Sequence, residues 1–161
     1  MKVISDKAAG KEIERQALAS LLTYNEFIPE VVSIFKSEYF NSDSKDKRLS
    51  VHGTIFSLIC ALFQEKGKVD QTMLILKLDQ VGLREFNGLD MSLYVRSLFN
   101  ITVNKEFVLD YFREVFKLHT CRQLFASLGK AQNYISNSLS EPLRDILDNV
   151  QSMTADCMSA N

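Results

Sequence analysis

Two prolines and six glycines in 161 residues leave few points at which a helix is forced to stop. No apolar run approaches the ~18 residues that a membrane-crossing helix needs, and the opening MKVISDKAAGKEIE lacks the apolar centre of a secretory signal. A cytoplasmic location is expected. Neither sign of charge dominates, with 19 basic against 20 acidic residues and a formal charge of -1, so no overall field draws the chain onto nucleic acid. The three cysteines, Cys60, Cys121 and Cys157, form no CxxC pair and stand on apolar helix faces, which fits buried thiols in a reducing compartment.

Nucleotide chemistry has no support either. The only Gly-Lys pair preceding a small residue, Gly129-Lys130-Ala131, has Leu124 where a P-loop would place its first glycine, and GxGxxG and GxSxG are absent. No catalytic residue and no cofactor is assigned. His119 and Cys121, two apart on a helix, diverge by roughly 200° and cannot address one metal ion. His52 reads as a hydrogen-bonded structural histidine. Solvation accounts for Glu12, Glu14, Asp110 and Glu114, and Arg15 is placed with Glu12 and Glu14 on a wet face. Lys45, Lys47 and Arg48 are interleaved with Asp43 and Asp46, which weakens any phosphate-binding field there and makes DNA contact weak or absent.

What is present is apolar residues at intervals of three and four, and 46% hydrophobic content is ample for a core. A first helix runs from about Lys11 to Leu22 with Ile13, Ala17, Leu18, Leu21 and Leu22 as its stripe. A short one covers Pro29 to Phe35, and the polar loop after it is pinned by Tyr39 and Phe40. A central helix spans about Lys47 to Lys66, ended by a left-handed cap at Gly67. Asp70 and Asp90 are expected N-caps for helices over Gln71 to Val81 and Met91 to Phe99.

Beyond Asn104 the pattern lengthens. Val108, Tyr111, Val115, Leu118, Cys121, Phe125, Leu128 and Ile135 keep a seam of threes and fours, close to the 3.5-residue repeat of a coiled coil. SNSLS at Ser136 to Ser140 interrupts it. Ser140 and Pro142 then open a last helix with Leu143, Ile146 or Leu147, Val150, Met153 and Cys157 along its seam. The fold class is therefore all-α: a small globular helical bundle over residues 1–102, then an antiparallel helical hairpin over residues 103–161. The first arm, on the order of 45 Å at ~1.5 Å per residue, outruns what the bundle can cover, so part of its apolar surface requires another chain. The seam residues expected to meet that chain are Val108, Tyr111, Val115, Leu118, Cys121, Leu143, Leu147 and Val150. The additional aromatic surface at Phe112, Phe116, Leu124 and Phe125 is the candidate partner-docking site.

EIERQALASLL, then SEYF, then VHGTIFSLICALFQEKGKVDQTMLILKL resembles the N-terminal domain of DnaB-type replicative DNA helicases. Phe40, His52, Ile55, Phe56, Gly67, Asp70 and Leu74 or Leu76 stand at that family's pattern positions, as do Leu93-Tyr94, Tyr111, Val115, Arg122 and Leu124. Asn87 replaces one glycine of the family's Gly-Gly pair, the proline before the first helix is missing, and the seam is unusually aromatic. The resemblance implies a non-catalytic oligomerisation domain that pairs through its hairpin, six copies forming a collar of three dimers, with primase and in some systems a loader as partners. A free-standing adapter that mimics this collar is the alternative, and an enzyme centred on His52 or His119 is a third reading.

Overall fold

The computed structural model describes residues 7–41 and 50–158. Seven α-helices and one minimal β-hairpin follow in the order α1 (Lys7–Thr23), α2 (Ile28–Ile34), α3 (Val51–Lys66), α4 (Gln71–Gln80), β1 (Glu85–Phe86), β2 (Leu89–Asp90), α5 (Met91–Phe99), α6 (Val108–Asn137) and α7 (Leu143–Met158). The basic run at Lys45, Lys47 and Arg48 lies outside the described residues, as does the side chain of Cys157.

The helix ends follow local chemistry. Asp70 and Asp90 accept hydrogen bonds from the Met73 and Leu93 amides at 2.8 and 3.1 Å, each satisfying a donor that has no partner within the helix. Ser50 does the same for Gly53, so α3 starts at Val51, later than the hydrophobic spacing suggests. Gly67 closes α3 in the left-handed region at φ 76°, its amide bonded to the Phe63 carbonyl at 2.7 Å. The β-hairpin is a feature the apolar spacing does not announce. Its turn, Asn87-Gly88, has both residues at positive φ, 52° and 81°, the geometry that matches the twist of two short antiparallel strands.

The chain divides between Phe116 and Lys117, rather than after residue 102. The first unit owns α1 to α5 and the opening turns of α6, because Val108, Phe112 and Val115 belong to its core together with Leu18, Leu21, Ile55, Ile59, Leu74 and Leu98. Phe35 is the hub of an aromatic cluster there, with edge-on contacts to Tyr39, Phe40, Phe56 and Phe112 at centroid distances of 4.9 to 5.5 Å. Phe40 and Tyr39 thus hold the segment after α2 as the sequence suggests.

The second unit is the antiparallel hairpin made by the rest of α6 and by α7. Its turn is closed by the Ser138 amide donating to Ile135 O and the Glu141 amide donating to Ser138 O, at 3.2 and 2.9 Å. Pro142 stands just before α7 and its carbonyl accepts from the Asp145 and Ile146 amides, a place where a missing N–H costs the helix nothing.

Candidate interaction surfaces

Burial sorts the long seam into two kinds of residue. Val108 and Val115 are sealed in the core of the first unit, and so is Phe112, which is 1% exposed. Those three are thereby corrected: a side chain enclosed by its own subunit offers neither a second copy nor another partner a surface. Tyr111 and Phe116 are half-buried in the same unit, Phe116 against Tyr39 at a ring separation of 5.0 Å. Phe116, Ile34 and Arg113 rim a small cleft of about 240 Å³ whose inner wall is Phe35 and Phe112.

In the hairpin the outcome reverses. Cys121, Phe125, Leu128 and Ile135 of α6 are exposed, as are Leu143 and Leu147 of α7 at 70% and 59%. Leu139, at the turn, was hidden in the sequence by its serine-rich surroundings and is 77% exposed. Leu118, Leu124 and Val150 are half-buried. The exposure of Cys121 corrects the expectation of a buried thiol, whereas Cys60 is half-buried and desolvation pushes it up to about 11.

The open residues form one face. At 100° per residue, Cys121, Phe125, Leu128 and Ile135 fall within an arc of about 80° on α6, while the more enclosed Leu124, Ser127 and Ala131 lie to one side of it. On α7, Leu143 and Leu147 are displaced from the half-buried Ile146, Val150 and Met153 in the same rotational sense. In antiparallel helices, equal-sense rotations away from the shared inner faces bring both stripes to the same side of the pair.

A second constellation lies inside the first unit. Glu14, placed by its spacing to Leu18 and Leu21 on the apolar stripe of α1, is 2% exposed and not solvated as expected. Its Oε1 is 2.7 Å from His52 Nδ1 and its Oε2 accepts from the Asn41 amide at 2.9 Å. His52 Nε2 is hydrogen-bonded to Tyr94 Oη. Burial, its largest influence, pushes the Tyr94 phenol up to about 12, so the phenol keeps its proton. Tyr94 O–H can then donate to Nε2 while Nδ1–H donates to the carboxylate, which satisfies every member. The arrangement ties α1, α3, α5 and the segment after α2 together. Lys11, Arg15, Leu89 and Tyr94 line a surface cleft of about 340 Å³ beside it, with the Arg15 guanidinium 6.0 Å from the Tyr94 ring centre.

His52 therefore serves structure, with both ring nitrogens occupied. Among the described residues no group of three or more His, Cys, Asp or Glu is arranged to hold a metal ion, and no helix is long and apolar enough to cross a membrane.

Comparison with known families accounts for the first unit. Residues 7–117 match the family described as the DnaB-like helicase N terminal domain. The chain belongs to that family. The match ends at the boundary where the hairpin begins, yet likeness in fold continues past it. The N-terminal domain of DnaB helicase from Mycobacterium tuberculosis superposes with a TM-score of 0.68 at 18% identity, covering 89% of this chain and 94% of that one. At that identity the likeness is one of fold. No curated protein matches the sequence. This DnaB-type domain thus joins a body that the family pattern describes to a hairpin that spatial likeness, not residue identity, relates to its kin.

Proposed function

We propose that this DnaB-type domain is the non-catalytic oligomerisation and docking module of a cytoplasmic replicative helicase, with ATP hydrolysis left to a separate motor domain. The observation that carries the reading is the set of exposed apolar side chains on one side of the hairpin, Phe125, Leu128 and Ile135 of α6 with Leu143 and Leu147 of α7. Large apolar side chains gathered on one side of a helix pair mark a surface that another chain covers.

The occupant is a second copy of the same hairpin. Like surfaces meet across a two-fold axis in most homodimers, and a stripe of aliphatic and aromatic side chains without charges in its centre is self-complementary. Burial of ~800 Å² of mostly apolar surface gives a gross 10 to 20 kcal/mol, much of it offset by the cost of association, so the domain alone pairs weakly and the full helicase closes a collar of three dimers. Primase, and a loader where one exists, dock on the assembled collar; the Phe116 and Ile34 rim of the first unit is the apolar surface left for them.

Sedimentation equilibrium tests the core of this proposal. The wild-type chain is expected to form a concentration-dependent dimer, and Leu143→Asp with Leu147→Asp to remain monomeric with unchanged thermal unfolding. A wild-type chain that stays monomeric at high concentration, or a double variant that still dimerises, refutes the assignment.

A further inference from the structure

The turn of the hairpin carries a relay of side chains from three places. Tyr134 stands on the last turn of α6, Glu141 in the connecting segment and Asn149 on the second turn of α7. Tyr134 Oη donates to Glu141 Oε2 at 2.6 Å and accepts from Asn149 Nδ2 at 2.6 Å. A phenol has one proton to give and lone pairs to receive, so the relay is directional and both of its roles are filled.

Alignment matters because the apolar face is shared between two helices. A slip of one residue along α7 turns its side chains by about 100°, enough to carry Leu143 and Leu147 off the side that holds Phe125, Leu128 and Ile135. Ala131 is buried and Val150 half-buried, apolar side chains whose packing is non-directional, and the two backbone bonds that close the turn each span three residues. Tyr134, on α6, makes directional bonds to both the turn and α7.

We propose that Tyr134 is a positioning residue for self-association: through Glu141 and Asn149 it sets the register of the hairpin, and so brings the α6 and α7 stripes into one binding face for a second copy of the chain. The inference rests on the oligomerisation reading above and adds to it a residue outside the apolar contact.

The test measures self-association of the full chain by sedimentation equilibrium and the order of the turn by amide hydrogen exchange over residues 138–146. Tyr134→Phe, which removes only the hydroxyl, is expected to speed exchange at the turn and weaken self-association roughly 3- to 10-fold, the range that loss of one or two hydrogen bonds produces. Glu141→Gln, which keeps an oxygen acceptor for the phenol, is expected to remain within about 2-fold of wild type. Ala131→Gly lowers helix stability with the relay intact and serves as the structural control. Weakening by Ala131→Gly equal to that by Tyr134→Phe reduces Tyr134 to a merely structural role and overturns the proposal. So does a dimer unchanged by Tyr134→Phe, and that result leaves the oligomerisation reading standing. A monomeric wild type removes both.

Discussion

Phe112 and Phe125 are the same residue type on the same helix, and the two halves of the domain treat them oppositely. Phe112 is 1% exposed, packed on Phe35 at 4.9 Å and on Phe56 at 6.1 Å, whereas Phe125 is 42% exposed. Helical periodicity is blind to this difference, since both fit its apolar pattern. The body recruits the first turns of α6 to complete its own core, and the hairpin leaves its stripe open. A seam that looks uniform in sequence therefore splits into a stretch enclosed within its own subunit and a stretch left exposed.

The strongest way to break that contrast is to truncate both rings. Phe112→Ala is expected to destabilise the body by about 3 to 5 kcal/mol in urea unfolding, because it leaves a cavity in a packed aromatic cluster. Phe125→Ala is expected to change unfolding of the monomer by less than about 1 kcal/mol and to act on self-association instead. Similar unfolding losses from the two variants would erase the distinction between a closed core and an open face.

A polar core residue sharpens the same comparison. Glu14 provides two acceptors to two donors, His52 Nδ1–H and the half-buried Asn41 amide, which the two oxygens of a carboxylate satisfy together. Glu14→Gln turns its NH2 group either toward the Asn41 amide or toward His52 Nδ1, where it is accepted only if the imidazole proton moves to Nε2, and a loss of about 1 to 3 kcal/mol is expected in urea unfolding. The exposed relay of the hairpin has no such leverage on the body: Tyr134→Phe should leave body unfolding unchanged. A Glu14→Gln variant as stable as wild type would mean that the carboxylate is not the fixed point of the buried network.

Sequence legibility follows the same divide between local and assembled features. Asp70, Asp90 and Gly67 were readable because a cap is chemistry between residues three or four apart. The all-helical fold and the hairpin were readable from spacing and from a serine-rich break followed by Pro142. Glu14 was not read correctly, although its position four before Leu18 and seven before Leu21 put a carboxylate on a buried stripe; its partners His52 and Asn41, and Tyr94 beyond His52, are brought together by tertiary folding alone. The Asn87-Gly88 turn carried a hairpin signal that four strand residues were too few to reinforce. Which seam residues stay open depended on where the body ends its core, and periodicity holds no record of that.

Local caps also predict a smaller effect. Asp70→Ala removes the side-chain acceptor of the Met73 amide at the start of α4, and about 1 kcal/mol is expected to be lost in thermal or urea unfolding. Rescue by Asp70→Ser, which restores a capping oxygen, separates the cap from any effect of charge. Self-association should be unaffected, since the cap belongs to the body.

The smallest expected effect is a response to alkali. Burial raises Tyr94 from its ordinary value of 10 to about 12, so the folded body favours the protonated phenol. The stabilisation is complete below pH 10 and is lost as pH climbs from 10 toward 12, because the unfolded chain releases that proton first. Cys60, raised from 9 to about 11 by desolvation, adds a loss of the same sign in a lower window, from 9 to 11. Tyr94 is only half-buried, so its share is expected to be about 1 kcal/mol or less once solvent screening is allowed for. Tyr94→Phe should start less stable, with His52 Nε2 deprived of its donor, yet lose less on going from about pH 9.5 to about pH 11.5 than wild type does. Unfolding free energies of both proteins at the two pH values decide the matter: equal alkaline losses would show that the phenol proton is not held by the fold, and with it would go the direction assigned to the hydrogen bonds running from Tyr94 through His52 to Glu14.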